Sequence, residues 1–471
     1  MRHYKLIIIL SSICLMMLTC TRTIDRVTTE SIIAELNLQK INYRSFITSP
    51  DGDHICYMME GEDGDHLFFD GKEIGVYDFI GANTIKFSPD SDHFLFVGAR
   101  GNKQFVVYDG KELRPYQGIM DETPVFSAES NRFAYGAVRN GKWFVVVDEI
   151  ESGPYDMIER NTLTFSPANG RLACVVKLNG NKHVISEDFE SRAYDSILHG
   201  TPVFSPDGKH LVFGAQRGTK RFVVFDGVEG SEYDNLVENT IKFHPKNNDL
   251  YFAAELKGKQ FIVHASEHGP KYDGILKNTP IFSPQGNRYA YGARVANPGK
   301  IGDMQFMVID DVEQKRYNAI GSSPIFSQDG KHVAYLVRVG LSWLVVVDGK
   351  EHKEYHYIGV EPYPMFSNDS KKLAYIAKIG SDWFTVVNGK EGTKFETIAG
   401  GTLTFSPNSE YLVYVAKLND KWHIVVNNDI GDPYDDVVTN PAGSIFFHDS
   451  GSFRYYAIKD STLVRVTENL N

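Results

Sequence analysis

The sequence predicts an all-β fold made of about eleven similar units, each of four short strands, and three observations support this. First, a phenylalanine recurs at steps of 39 residues and then at steps of 44, 40, 39 and 41 residues. Second, turn residues follow at fixed distances within each copy. Third, no stretch of the chain after residue 45 shows the apolar spacing of a helix. The recurring phenylalanines are Phe87, Phe126, Phe165, Phe204, Phe243, Phe282, Phe326, Phe366, Phe405 and Phe446.

The copy around Phe204 shows how one unit is built. Apolar and polar residues alternate in short runs, and turn residues separate these runs. The Pro-Asp-Gly turn after Phe204 combines a fixed φ, an Asp that bonds the local backbone and a Gly that accepts positive φ. Asp226 and Gly227 form the strongest short-range hairpin signal. The four predicted strands of this copy are residues 201–205, 210–215, 221–225 and 231–236.

Four antiparallel strands in about 40 residues, repeated along the chain, are typical of the blades of a β-propeller. About eleven blades can form a single large ring or two rings of about five and six, and no linker favours the split. Because a closed ring removes exposed sheet edges, we expect an N-terminal strand near residues 40–46 to pair with the strand near residues 462–466.

The Phe-Ser-Pro-Asp-Gly run, followed by a strand that ends in an aromatic residue, any residue and Ala, resembles the TolB-type, WD-like repeat of bacterial envelope propellers. Phe204 to Ala215 is the clearest copy, and the resemblance extends from about residue 40 to residue 466. It implies the propeller fold and says almost nothing about function.

The amino-acid composition limits the classes of function that the chain can have. The net charge is −11 and the isoelectric point is about 5.8, so a nucleic-acid partner is not expected, since such partners usually require a basic domain. With 42% hydrophobic residues the chain can bury a large core. Cys56 and Cys174 lie on apolar second strands of different blades, and we expect both to be buried free thiols.

The first twenty residues read as a secretory signal. A basic start precedes the apolar run from Leu6 to Leu18, which is too short to span a bilayer as a helix. Leu18-Thr19-Cys20 resembles a bacterial lipobox, which implies acylation of Cys20 and an envelope protein, periplasmic or on the outer membrane, whose contact with the membrane is its lipid anchor. Plain secretion and an uncleaved anchor are the alternatives. The predicted organisation is signal 1–20, tether 21–35 and propeller 36–471.

No arrangement of side chains predicts catalysis, a cofactor or a metal site. His210 and His332 occupy one repeat position beside a turn, which indicates surface residues. A Tyr-Asp pair recurs on the predicted fourth strand, and repetition favours packing of the Tyr between blades over acid–base chemistry, which needs one asymmetric site. These pairs begin at Tyr77, Tyr155, Tyr194, Tyr233, Tyr272 and Tyr434.

Cations recur in the loop that joins the second and third strands, so one rim is expected to be basic and the opposite rim acidic. These cations are Arg100, Arg139, Lys177, Arg217, Lys257, Arg294, Arg338, Lys378 and Lys417, often followed by a second one such as Lys421. All four tryptophans fall at the start of the third strand: Trp143, Trp343, Trp383 and Trp422.

These residues predict a binding surface, because clustered exposed aromatics mark sites for proteins or sugars. We expect it to include Trp143, Trp343, Trp383, Trp422, Arg338, Lys378, Lys417 and Lys421. The function expected is a non-enzymatic envelope scaffold that binds a protein or an anionic glycan. The alternatives are a glycan lyase or hydrolase of propeller fold and a structural assembly subunit.

Overall fold

The computed structural model describes residues 24–129, 131–296, 302–359, 364–439 and 444–470. They form eleven antiparallel sheets, which are the blades of a β-propeller. The single helical element in these ranges is a 3-10 turn, Ala82–Thr84. No helix of the described residues is long and apolar enough to cross a membrane. The predicted fold class is therefore confirmed.

Each blade has a first, second, third and fourth strand, and the blades follow one another in chain order from blade one to blade eleven. The first strand is continuous in blade one, Ile41–Thr48, and elsewhere consists of two pieces: Phe79–Ile80 and Lys86–Phe87, Gly118–Ile119 and Val125–Phe126, Met157–Ile158 and Thr164–Phe165, Ser196–Ile197 and Val203–Phe204, Asn235–Leu236 and Lys242–Phe243, Gly274–Ile275 and Ile281–Phe282, Ala319–Ile320 and Ile325–Phe326, Tyr357–Ile358 and Met365–Phe366, Thr397–Ile398 and Thr404–Phe405, and Asp436–Val437 and Phe446–Phe447. The second strands are Ile55–Glu60, Phe94–Arg100, Phe133–Arg139, Leu172–Leu178, Leu211–Arg217, Leu250–Leu256, Tyr289–Val295, Val333–Val339, Leu373–Ile379, Leu412–Leu418 and Ser452–Lys459. The third strands are Asp65–Phe69, Lys103–Tyr108, Lys142–Val147, Asn181–Ser186, Lys220–Phe225, Lys259–His264, Met304–Ile309, Ser342–Val347, Asp382–Val387, Lys421–Val426 and Thr462–Leu470. The fourth strands are Lys72–Tyr77, Lys111–Glu112, Ile150–Tyr155, Phe189–Glu190, Val228–Glu229, Glu267–His268, Val312–Glu313, Lys350–Glu351, Lys390–Glu391, Asp429–Ile430 and Arg26–Glu35.

The turns of each blade are held by short polar side chains. In blade five, Asp207 accepts hydrogen bonds from the Ser205 hydroxyl at 2.6 Å and from the backbone N–H of Lys209 at 3.1 Å. These bonds lower the pKa of Asp207 to about 2. Asp226 accepts the backbone N–H of Leu211 at 2.8 Å, which ties the turn after the third strand to the start of the second. The aspartates of these motifs thus cap turns.

The predicted fourth strand is wrong in extent. The run 231–236 divides between two blades, because the chain passes from one to the next at Tyr233. Tyr233 and Arg221 exchange backbone hydrogen bonds at 2.8 and 3.0 Å within blade five, whereas the N–H of Asp234 donates to Glu255 of blade six at 2.9 Å. Alternation of apolar residues shows that a strand exists but not which neighbour receives its hydrogen bonds.

The blades form a single ring. Among the described residues, the apolar core consists of eleven clusters, and each joins two consecutive blades. The cluster that decides the topology packs Leu36 and Tyr57 of the N-terminal region against Val438 and Tyr456 of blade eleven. Because blade eleven packs on blade one, the alternative of two rings is excluded.

Pairing of an N-terminal strand with the C-terminal strand closes the ring, as expected, but the strand is not residues 40–46. Arg26–Glu35 pairs with Thr462–Leu470, and residues 41–48 are the first strand of blade one. Residues 26–35, expected in the tether, therefore belong to the propeller. The sequence pattern did not predict this strand, because it lies at an outer edge of its blade, where most side chains are exposed and buried and exposed positions do not alternate.

Candidate recognition surface

The hairpin rim is the end of the propeller at which the second and third strands of each blade are joined. All four tryptophans lie there, one residue inside the third strand of blades three, eight, nine and ten. Each is partly buried. The N–H of Trp343 donates to the carbonyl of Tyr355 at 2.8 Å and its carbonyl accepts the N–H of Tyr355 at 2.8 Å, so the backbone around the ring is fixed.

Each of these indole rings has one face on a core between blades. Trp343 packs on the core between blades eight and nine, and Trp383 on that between blades nine and ten. Trp343 also covers Gly321, where a Cβ atom would overlap the ring. Trp383 lies edge to face with the exposed Tyr357, with ring centroids 5.5 Å apart. The rings are therefore held rigidly, and the remainder of their surface faces solvent.

The expected cations lie on this rim, but most are neutralised by a carboxylate beside them. Arg139 donates to Glu151 at 2.8 Å, and this contact holds the pKa of Glu151 below its usual value. The rim is therefore not uniformly basic. Further pairs are Arg100 with Glu112 at 3.0 Å, Arg217 with Glu229 at 2.6 Å, Lys417 with Asp420 at 3.3 Å, Arg294 with Asp303, and Lys421 with Asp435.

Arg338 and Lys378 lie over tryptophan rings, unlike the paired cations; among the described residues Lys177 and Lys257 also form no ion pair with a carboxylate. The guanidinium of Arg338 lies 6.0 Å from the ring centre of Trp343, and the ammonium of Lys378 lies 4.8 Å from that of Trp383. Within the described ranges neither forms an ion pair with a carboxylate. Each is therefore placed for a cation–π contact, with its charge still available to a partner.

The hairpins of blades eight and nine lack an ion pair that several other hairpins have, and they expose aliphatic side chains instead. In blades three, five and six the first residue of the third strand is a Lys that pairs with the Asp after the recurring Tyr, at 2.6, 2.8 and 2.5 Å. Blades eight and nine carry Ser342 and Asp382 at that position. Their hairpins expose Val339, Leu341 and Ile379, and Leu341 is 96% exposed.

These aliphatic residues were not predicted from the sequence. A signal was present, because the Lys at the start of the third strand and the Asp after the Tyr are both replaced in blades eight and nine. The two replacements of the Asp are His356 and Glu396.

The recurring Tyr packs between blades, as expected. Tyr194 is buried, and its hydroxyl donates to Glu229 of the next blade at 3.2 Å. Burial, together with this carboxylate, raises the pKa of Tyr194 to about 12. The following Asp195 accepts the backbone N–H of Gly218 in the next hairpin at 2.7 Å. The Tyr-Asp pair thus joins each blade to the hairpin of its neighbour.

The histidines and cysteines have ordinary structural surroundings. His210 lies 2.7 Å from Asp226, and His332 lies 2.7 Å from Asp348, both on the rim opposite the hairpins. Cys56 and Cys174 are buried free thiols, as expected, and burial raises the pKa of Cys174 to about 12. In the part of the chain that the structure describes, no group of three or more His, Cys, Asp or Glu side chains could hold a metal ion.

The fold defines the chain as an eleven-bladed β-propeller protein. No family model and no curated protein sequence matches it. Among solved structures, the crystal structure of the eukaryotic initiation factor is 12% identical over 72% of this chain and 94% of its own, with a TM-score of 0.40. The structure of the Dos1 propeller is 12% identical and covers 75% of this chain and 95% of its own, with a TM-score of 0.33. The structure of dihydro-heme d1 dehydrogenase NirN in complex with DHE is 13% identical and covers 66% of this chain and 73% of its own, with a TM-score of 0.33. Similarity this low does not inform function, and the TolB-type resemblance stays an interpretation.

Proposed function

We propose that this propeller is a non-enzymatic recognition scaffold of the bacterial cell envelope, which binds a partner protein through the hairpin rim of blades eight to ten. One observation carries the proposal. The adjacent hairpins of blades eight and nine expose Val339, Leu341 and Ile379 next to partly buried tryptophans, and both hairpins lack the Lys–Asp ion pair that blades three, five and six carry. An exposed apolar group of this kind costs solubility, and a binding partner that covers it removes that cost.

A protein partner fits this surface better than an anionic glycan. The expected basic rim is largely neutralised by its own carboxylates, so it offers little net attraction for a polyanion. Aliphatic side chains such as Leu341 gain free energy when another apolar surface buries them. Trp and Arg side chains, here Trp343 and Arg338, are the residue types that dominate the energetics of protein interfaces.

The envelope location rests on the first twenty residues, and Cys20 lies outside the described residues. The strand Arg26–Glu35 ends beside the hairpin of blade eleven, so it begins at the opposite end of the ring. The five residues between Cys20 and Arg26 span at most about 20 Å when extended. An acylated Cys20 therefore directs the hairpin rim away from the membrane, toward a partner.

Partition between a detergent phase and an aqueous phase tests the anchor. The wild type is expected in the detergent phase and Cys20→Ser in the aqueous phase. Equal partition of the two proteins contradicts the anchor.

The test of the binding surface is site-specific photocrosslinking in cells of the source organism. A benzophenone amino acid replaces Leu341, and in the matched control it replaces Thr219, the exposed residue at the same place in the hairpin of blade five. We expect one discrete crosslinked protein from position 341 and none from position 219. The crosslink is expected to fall at least tenfold when Trp383→Ala is added, since loss of an interface tryptophan costs about 2 kcal/mol or more.

Two results contradict the proposal. One is the same set of crosslinked products from positions 341 and 219, which indicates random collisions. The other is no product from position 341 while the protein remains folded and correctly localised.

A further inference from the structure

A second apolar site lies away from the hairpin rim, in the cleft between blades five and six. The cleft has a volume of about 550 Å³ and is lined by Val228 of blade five and by Leu250, Phe252, Val263, Ala265 and Ser266 of blade six. Val228 opens the fourth strand of blade five and is 71% exposed. The cleft is thus bounded by a mainly apolar wall with Asp249 on blade six, and by an exposed edge strand with Asp226 and Glu229 on blade five.

The neighbouring cleft, between blades four and five, shows what fits such a space. Phe189 is the equivalent of Val228, since each lies opposite the last residue of the third strand. The Phe189 ring packs on the core between the two blades and touches Gly227. The space left beside this ring has a volume of about 240 Å³. An aromatic side chain of the chain itself therefore occupies most of the position that is open one blade further on.

The mouth of the cleft is also chemically distinct. Ala265 stands where the other blades have Asp, Asn or Glu in the turn after the third strand. In blade five the corresponding Asp226 accepts the backbone N–H of Leu211 at 2.8 Å. Ala265 has no such acceptor, so the N–H of Leu250 lacks the carboxylate partner that its counterpart has in blade five. This N–H, at the edge of the cleft, is suited to a peptide carbonyl.

From these contacts we propose that the cleft between blades five and six binds an extended peptide segment of a partner protein, with a phenylalanine side chain in the place that Phe189 takes one blade earlier. The ring is buried against Leu250, Phe252 and Val263, and the backbone N–H of Leu250 donates to a carbonyl of the peptide. The site is separate from the hairpin rim and does not depend on the function proposed for that rim.

The test uses a blocked tripeptide, acetyl-Gly-(4-fluoro-Phe)-Gly-amide, titrated into the intact protein and followed by fluorine NMR. We expect saturable broadening with the wild type. Val228→Phe fills the cleft with an internal ring, and Ala265→Asp supplies the missing carboxylate to Leu250; each is expected to weaken binding at least tenfold. Val312→Phe, the same change in blade seven, is the matched control and is expected to bind as the wild type does.

Thermal unfolding of each variant establishes that it is folded before the titrations are compared. Competition with the Ala version of the peptide is expected not to displace the probe. The proposal is overturned if the wild type shows no saturation, or if folded Val228→Phe and Ala265→Asp proteins both bind the probe as tightly as the wild type.

Discussion

Removal of Arg26 is the sharpest test of how the ring is closed. The Arg26 guanidinium donates to both carboxylate oxygens of Glu468, at 2.8 and 2.7 Å. Glu468 also accepts from the hydroxyls of Thr28 and Tyr455, each at 2.9 Å. The Glu468 side chain is 0% exposed and that of Arg26 is 7% exposed. Arg26→Met therefore removes two of four hydrogen bonds and the only charge that faces this carboxylate in the described residues.

A buried ion that loses its partner destabilises a protein by about 3–5 kcal/mol, and this is the loss we expect in Arg26→Met. The double variant Arg26→Met/Glu468→Met replaces the pair by apolar side chains and is expected to recover most of that loss. Urea unfolding measures the global change, and hydrogen exchange in Thr462–Leu470 measures local opening of the closing strand.

The control is Lys111→Ala, which breaks an exposed pair with Glu149 and should leave stability unchanged within error. A loss below about 1 kcal/mol in Arg26→Met, with unchanged exchange in the closing strand, would refute the view that this ion pair holds the ring shut.

Three further outcomes follow from the same contacts. Gly321→Ala should cost about 1–3 kcal/mol and change the tryptophan fluorescence, because its Cβ overlaps the Trp343 ring. Gly380→Ala, in an open hairpin at φ +60°, strains the backbone but should leave the tryptophan fluorescence unchanged, so equal spectra for the two variants would contradict the packing. The pKa of Glu151 and of Glu229 is lowered chiefly by Arg139 and Arg217, so the stability that these carboxyls contribute is complete above the reference value of 4.5 and is lost as the pH falls through the lower folded pKa. In a plot of the urea midpoint against pH, Glu151→Gln should therefore reduce the fall in stability at acid pH. An unchanged fall contradicts the pair. Cys56 and Cys174 should resist iodoacetamide in the folded protein at about pH 8 and react after unfolding, because burial raises the pKa of both thiols. Rapid labelling of the native protein would show that these thiols are accessible and that the second strands do not bury them.

The repeat made the blade predictable. The turns around Asp207 and Asp226 rest on residues within twenty positions of one another, so their chemistry is visible in a single copy. The packing role of Tyr194 and Tyr434 was predictable for the same reason, since a residue that recurs in most units serves a contact that the units share. Local turn chemistry and periodicity both act over short distances along the chain.

The candidate surface was only partly predictable. The tryptophans share a repeat position, so the sequence placed them on one rim. The pairing of Arg139 with Glu151 and of Arg217 with Glu229 was not visible, because it depends on side chains of the second and fourth strands meeting across the third strand. The cleft beside Val228 was also invisible, since its far wall belongs to the next blade.

The sequence by itself determined the four-stranded blade, its turns and the number of its copies, because each copy carries its own pattern of apolar and turn residues. The tertiary structure decided that there is one ring, that Arg26–Glu35 closes it and that most rim cations are neutralised. These features depend on contacts between residues far apart in the chain, such as Arg26 and Glu468, which are 442 positions apart, and such contacts leave no periodic pattern in the sequence.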